Sequence, residues 1–355
     1  MTEIYKGMPS PKLDRDTFIS RYREMFVDPA FVALEKEISA VGEVAWEAYS
    51  AGRKSPYTRV AGPDFADPAY EISTDWLKTR ADIKAAQARH DDKNAKPRIL
   101  LINGSARSEH TCPGEMSKSW RLVELAHTAI SARGIQLDVL DLSRLASEYG
   151  RNIHPCKSCV STAMPLCHWP CSCYPNHSLG QTQDWMSEIY PKWVEAHGIL
   201  IVAPVNWYQA PGPLKLMMDR LVCADGGNPD PSSTHGKTPA EAKALELAGW
   251  SYPRHLAGRL FGTIVHGDTV GAESLRRILM DWASDMHLIA AGADAELDGY
   301  IGYYEPYATS HEALDEDEGF SQEAINAAEA MADAVLTQRA GSFVAPKRRP
   351  EPNPK

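Results

Sequence analysis

Two short stretches of the chain carry residue types whose spacing suits chemistry. The first, Asn103-Gly104-Ser105-Ala106-Arg107, follows an apolar run. Ser117, Lys118 and Ser119 stand a little later, where a helix should begin. A glycine turn, hydroxyls, a cation and the free N–H groups at the positive end of a helix make a site for a phosphate dianion. A plain turn followed by a serine N-cap uses the same residues. The second, Gly198 to Leu221, reads GILIVAPVNWYQAPGPLKLMMDRL. Its apolar run ends in Pro204, Val205, Asn206, Trp207 and Tyr208, and helical spacing resumes after Pro213. The pattern predicts a strand, an aromatic loop and a helix. Loops at the carboxyl ends of parallel strands are where open α/β sheets bind ligands, and this one suits a flat aromatic ring.

Two nucleotide signatures fail. Gly236-Lys237-Thr238 has Pro231 where a Walker loop needs glycine, and it follows no strand. Gly104 is followed by Ala106 and Glu109 where a dinucleotide fingerprint needs two more glycines. A monophosphate fits better.

These loops need a scaffold. Ile99–Asn103, Leu137–Leu142, Ile199–Val205, Leu260–His266 and His287–Ala291 read as five strands. They are separated by helices at 119–133, near 272–286 and at 321–338. Such alternation predicts an α/β fold, a doubly wound parallel five-stranded sheet covered on both faces. Residues 1–95 show helical spacing (Phe18, Tyr22, Met25; Leu34, Ile38, Val41, Ala45; Trp76, Leu77, Arg80, Ile83 after a Thr74 cap) and no strand. They read as a helical N-terminal extension, joined to the domain at 96–340 by the polar stretch His90–Pro97. An insertion at 223–258 is a lid or subunit contact, and 341–355 has the composition of a disordered tail.

Composition narrows the partners. The chain has 355 residues, 43% hydrophobic and 24% charged, with a formal charge of −10. No dense basic stripe speaks for nucleic acid or an anionic membrane, and a small molecule is the expected partner. No apolar run approaches the ~18 residues of a membrane span, and the start MTEIYKGMPS lacks a secretion pattern. A cytoplasmic protein is expected.

With both loops and their strand order in hand, the chain resembles the NADPH-dependent FMN reductase family of the flavodoxin-like superfamily, over roughly 97–340. The resemblance implies that the first turn holds the FMN phosphate, at Ser105, Arg107, Ser117, Lys118 and Ser119. It implies that Pro204, Val205, Asn206 and Trp207 flank the isoalloxazine. The third loop, His266-Gly267-Asp268-Thr269-Val270-Gly271, would then approach the ring from the other side; capping of the next helix is the plainer use of His266 and Asp268. Lys215, Asp219 and Arg220 would orient the helix behind the aromatic loop. The implied reaction passes hydride from NAD(P)H to the flavin and on to a small acceptor, such as a quinone or free flavin. No side chain is required as acid or base, and Trp207 and Tyr208 form the substrate face. A homodimer or homotetramer is implied, because a neighbouring subunit commonly walls the ring in such folds.

Cys156, Cys159, Cys167, Cys171 and Cys173 fall within 18 residues. Such density without a secretion signal points away from structural disulfides. The resemblance extends in part to iron-sulfur flavoproteins, whose first Cys pair matches Cys156-Lys157-Ser158-Cys159, although Thr162 stands where a third Cys belongs. An Fe-S cluster or a zinc site, a metal-free loop edging the flavin pocket, and a thiol redox role all remain open. His154, His168 and His177 lie in the same segment. The functional alternatives are an iron-sulfur flavoprotein electron carrier and a non-catalytic binding protein with the same fold.

Overall fold

The computed structural model describes residues 3–112, 114–268 and 270–346. Thr269 of the expected third loop and residues 347–355 of the expected tail lie outside the described residues. The strands are β1 (Thr58–Val60), β2 (Glu71–Ser73), β3 (Arg98–Asn103), β4 (Gln136–Asp141), β5 (Gly198–Pro204), β6 (Leu260–Gly267), β7 (Ile289–Ala290) and β8 (Glu296–Tyr300). The helices are α1 (Arg15–Arg23), α2 (Glu35–Ser50), α3 (Thr74–Asp91), α4 (Lys118–Ala132), α5 (Arg144–Ser147) and α6 (Met186–Glu195). They continue with α7 (Gly212–Arg220), α8 (Pro239–Leu247), α9 (Ala272–Asp285), α10 (Ser310–Glu316) and α11 (Glu318–Arg339).

β3, β5 and β6 are nearly unbroken apolar runs because a parallel sheet is covered on both faces. Alternate residues feed two cores. Leu100, Ile102, Ile199, Ile201, Phe261 and Val265 pack with α6, α7 and α9. Ile99, Leu101, Leu200, Val202, Leu260 and Ile264 pack with α4 and α11. The sheet is parallel throughout, in the order β4-β3-β5-β6 and then an edge. This is the flavodoxin-like order, whose switch point lies between β3 and β5. The fifth position departs from the expected single strand at 287–291. It is filled in two pieces: β7 pairs with Leu260 and Phe261, and β8 pairs with Thr263 to Gly267. Gly292 and a 3-10 turn at Ala293–Ala295 interrupt it.

The N-terminal region packs in cis. α3 buries Trp76, Leu77, Ile83 and Ala86, and the Trp76 indole donates to the Pro170 carbonyl at 2.8 Å. Two expectations are corrected here. A short antiparallel hairpin, β1 with β2, lies in the stretch expected to hold no strand, because Phe65, Ile72 and Trp76 form their own small cluster. Thr74 is the first residue of α3 rather than its cap, and the helix runs on to Asp91 within the expected linker. The hairpin loop is tied to the insertion: Ala66 N donates to Asp230 at 2.7 Å and Asp67 N to Ser232 at 3.0 Å. The insertion itself carries α8.

Arg220, at the end of α7, is the most deeply buried charge among the described residues. Its guanidinium makes two bonds to Asp184, at 2.9 and 2.6 Å, and one to the His154 carbonyl at 3.0 Å. It also lies 4.7 Å over the Tyr174 ring. One side chain thus locks α7 to the start of α6 and to the cysteine-rich loop. Removing one partner of such a pair strands the other charge in the core. Arg220→Met is expected to lower unfolding free energy by roughly 3–5 kcal/mol in urea denaturation, with Arg220→Met/Asp184→Leu recovering most of the loss. Equal loss in the single and double variants would refute this.

Candidate functional site at the strand ends

The expected phosphate turn leaves β3 at Asn103, whose buried side chain donates to Asp141 at 2.8 Å and accepts from Ser105 N at 3.2 Å. Gly104 is tightly boxed: a Cβ there would sit 3.0 Å from both Ala203 Cβ and Leu214 Cδ2. Glycine is required because the turn lies flat against β5 and α7. Ser105 is buried, and its hydroxyl accepts from Arg107 N at 3.1 Å, shaping an ST turn. Ser117 caps α4, accepting from Trp120 N at 3.2 Å. Ser117, Lys118 and Ser119 are all buried at that helix start.

Each donor has a partner that the sequence alone did not disclose. Arg107 pairs with Glu115 at 3.1 Å, while its Nε is buried without a partner. Lys118 Nζ contacts the Asp268 carboxylate. Ser119 Oγ lies 2.8 Å from His266 Nε2. His266 is the junction of all three loops. It pairs with Pro204 in the β5–β6 ladder, its carbonyl accepts from Val205 N at 2.8 Å, and its ring reaches Ser119. Burial, and then the Lys118 charge, push its pKa down to about 3, so the ring is neutral. Its Nδ1 has no partner. The tautomer that leaves no unpaired N–H carries the proton on Nε2, which donates to Ser119 and leaves that hydroxyl's proton free for a ligand.

The aromatic loop is a tight turn. Asn206 and Gln209 exchange backbone hydrogen bonds at 3.0 Å each, and Trp207 (φ 48°) and Tyr208 (φ 67°) occupy the left-handed region between them. Two adjacent non-glycine residues there are held against local preference. The turn projects Trp207, 93% exposed, and Tyr208, 59% exposed, from the rim. Gly271 (φ 115°) closes the third loop against it; a Cβ would lie 3.2 Å from Tyr208 Cα and 3.3 Å from Val205 Cγ1. Tyr300 fastens that loop, its hydroxyl accepting from Gly271 N at 3.2 Å. Tyr300 was not singled out from the sequence, although the run YIGYYEPY marks the segment.

The structure therefore brings Ser105, Arg107, Ser117, Lys118, Ser119, Pro204, Val205, Asn206, Trp207, His266, Gly267 and Asp268 to one edge of the sheet. Lys215 and Asp219 do not join them and pair with each other on the surface, and Arg220 points into the core. A cavity of about 1120 Å³ lies elsewhere, an open groove between α3 and α6. Several of its charges are already engaged, among them Arg89 with Glu195 at 2.7 Å and Arg98 with Asp138 at 2.5 Å.

Residues 97–293, more than half of the chain, match the family model described as NADPH-dependent FMN reductase. The chain belongs to the NADPH-dependent FMN reductase family. No curated protein matches it. Among solved structures it is similar to RosB with a bound 8-demethyl-8-formylriboflavin-5'-phosphate intermediate, at 12% identity and TM-score 0.48, covering 70% of this chain and 82% of that one. It is also similar to an NAD(P)H:quinone oxidoreductase from Methanothermobacter marburgensis, at 16% identity and TM-score 0.39, covering 66% and 96%. A third is an azoreductase from Bacillus anthracis, at 12% identity and TM-score 0.37, covering 66% and 99%. For an FMN reductase of this family the donors in the turn after β3 and at the start of α4 are a fitting set for a phosphate: three buried hydroxyls, a lysine, and an unsatisfied guanidinium nitrogen on Arg107.

The cysteine-rich loop lies between β4 and α6 and is covered by the insertion. Among the described residues no group of three or more His, Cys, Asp or Glu is arranged to hold a metal ion. The Fe-S and zinc readings are thereby left without a preassembled ligand set. His168 is spent on Ser172 at 2.6 Å and Thr234 at 2.9 Å, and His154 on the Thr182 carbonyl at 2.8 Å. His177 lies 3.6 Å from Asp75. Cys112 is exposed and Cys223 is buried against Tyr190.

Buried neutral histidines make stability depend on pH. His266, held at about 3, and His197, lowered to about 4 by burial and then by His90, both sit below the ordinary 6.5. The unfolded chain therefore binds more protons, and stability is complete above pH 6.5 and lost as pH falls toward 3. Unfolding free energy should fall by up to about 1.4 kcal/mol per pH unit for each such histidine. His266→Gln should flatten the slope measured by denaturation between those limits. An unchanged slope would mean that His266 is not the buried neutral group described.

Proposed function

We propose that the chain binds FMN with its phosphate at the start of α4 and its ring at the aromatic loop, and uses NAD(P)H to reduce a small acceptor. The observation that carries this reading is the His266 junction, which ties the phosphate helix to both ring loops through one residue. Ser105, Ser117, Ser119 and Arg107 supply hydrogen bonds to the phosphate and Lys118 the charge, with Asp268 and Glu115 holding the two cations in place. Bound FMN supplies the redox chemistry, accepting hydride from nicotinamide and passing electrons on. The protein's part is positional. Pro204, Val205 and Asn206 offer backbone at the ring edge, and the left-handed turn holds Trp207 and Tyr208 out as the stacking face for nicotinamide or an acceptor such as a quinone or free flavin.

The purified protein should be yellow and release FMN on denaturation. A preparation that stays colourless after incubation with excess FMN would overturn the reading. Trp207→Ala and Tyr208→Ala should retain FMN and weaken acceptor or nicotinamide binding by roughly 1 to 3 kcal/mol, seen as raised KM. Unchanged KM for both substrates would remove these residues from the site.

The same reading includes a homodimer or homotetramer. Its support is the number of exposed apolar side chains in the N-terminal region, Met25, Val27, Val32, Val41 and Val44. Light scattering of the wild type against Val41→Glu/Val44→Glu should show a multimer reduced to monomer, and a monomeric wild type would exclude it.

A further inference from the structure

The cysteine-rich loop holds a thiol pair that the flavin chemistry does not use. Cys159 Sγ and Cys173 Sγ lie 3.5 Å apart. Lys237 Nζ sits 3.7 Å from Cys159 Sγ and is fixed by donating to the Leu166 carbonyl at 3.0 Å. Lys237 comes from the insertion, in the segment that failed as a Walker loop. Cys159 starts the short 3-10 turn Cys159–Ser161, and Cys173 lies in irregular chain, so neither sulfur is carried by an α-helix or a strand that would resist the remaining ~1.5 Å of approach. Cys159 is half-buried and Cys173 buried, so a small reagent from solvent meets Cys159 first.

We propose that Cys159 and Cys173 form a reversible dithiol–disulfide couple, with Cys159, beside Lys237, as the attacking thiolate and a small peroxide as the oxidant. The Cys159 thiolate attacks the peroxide, R–O–O–H. The O–O bond breaks, an S–O bond forms, and the leaving oxygen takes a proton, giving Cys159–SOH and ROH. The Cys173 sulfur then displaces the hydroxyl, forming the S–S bond and releasing water. Two thiols are oxidised by two electrons and one peroxide is reduced. An external dithiol returns both cysteines to thiols by exchange.

The surrounding charges distinguish the thiols. The hydrogen bond from Cys173 and, after the opposing effect of burial, the Lys237 charge bring Cys159 down to about 7. Burial, with the neighbouring Cys223 and Cys171, drives Cys167 well above the ordinary thiol range. The bond with Cys173, and burial, do the same to Cys171. Burial alone would lower Lys237, but the sulfurs around it, Cys173 first, raise it, so it stays charged. A thiol near neutrality beside a cation, with a second thiol in contact, is the arrangement of oxidant-sensitive pairs.

The test uses purified full-length protein treated with hydrogen peroxide, blocked with N-ethylmaleimide and mapped by mass spectrometry. Two of the seven thiols should disappear into a Cys159–Cys173 cross-linked peptide and return with dithiothreitol. Cys173→Ser should instead accumulate a dimedone-reactive sulfenic acid at Cys159, and Cys159→Ser should keep its remaining thiols. Lys237→Met should slow iodoacetamide alkylation of Cys159 at pH 7 by about two- to threefold, because the Lys237 charge is one of the two influences that favour its thiolate. Far-UV circular dichroism checks that each variant is folded, and the wild-type alkylation profile stands alone if one is not. A cross-link between other cysteines, no thiol loss, or a wild-type alkylation midpoint near pH 8.5 would each overturn the proposal. So would stoichiometric zinc or iron that shields Cys159 until chelated.

Discussion

The hydrogen bond between Ser119 and His266, 2.8 Å long and buried, is the contact on which the strand-end site depends. It joins the first turn of α4 to the end of β6, two elements far apart in the chain, at the one rim where the loops after β3, β5 and β6 all emerge. Because His266 also pairs with Pro204 and accepts from Val205, its position is set by the ladder. Its neutrality follows from burial beside Lys118. A charged imidazole there would be desolvated next to an ammonium, so the site is built to keep it uncharged.

Two further devices hold the loops that this junction gathers. Glycine at 104 lets the turn after β3 lie against Ala203 and Leu214, and glycine at 271 lets the third loop seat on Tyr208. Arg220 works from below: by binding Asp184 and the His154 carbonyl it couples α7 to the cysteine-rich loop. The chain before β3 covers that loop, through Trp76 on the Pro170 carbonyl, and the hairpin loop grips the insertion through Asp230 and Ser232. The two segments that look like additions in the sequence are therefore one cover over the cysteines, and the insertion delivers Lys237 into them.

The match to the NADPH-dependent FMN reductase family over 97–293 falls within the stretch, roughly 97–340, over which the sequence resembles that family. Both rest on the same physics: apolar runs that must be buried on two faces, and polar turns that cannot be. The fifth strand was misjudged because its signal is short. His287–Ala291 contains a two-residue strand, and the longer piece, β8, carries Glu296, Asp298 and Gly299, which read as loop. Arg276 pairs with Glu296 at 3.1 Å and contacts Asp298, so acidic residues are accommodated at that edge by a partner on α9. The hairpin of β1 and β2 was missed for a related reason: two strands of three residues have no periodicity to detect, and they exist because Phe65, Ile72 and Trp76 gather.

The linear order of residues was enough to indicate the strand-turn-helix alternation, the glycine turn at Gly104 to Arg107, the helix start at Ser117 to Ser119 and the aromatic turn at Trp207. Each is a local signal, carried by apolar period, by glycine and by capping hydroxyls within a few positions. Folding alone decided the pairings: His266 with Ser119, Lys118 with Asp268, Arg220 with Asp184, and Lys237 with Cys159. Those partners are 147, 150, 36 and 78 residues apart. Side chains at such separations meet because parallel crossovers bring distant strand ends to one rim, and no pattern within a single segment records where another segment will land.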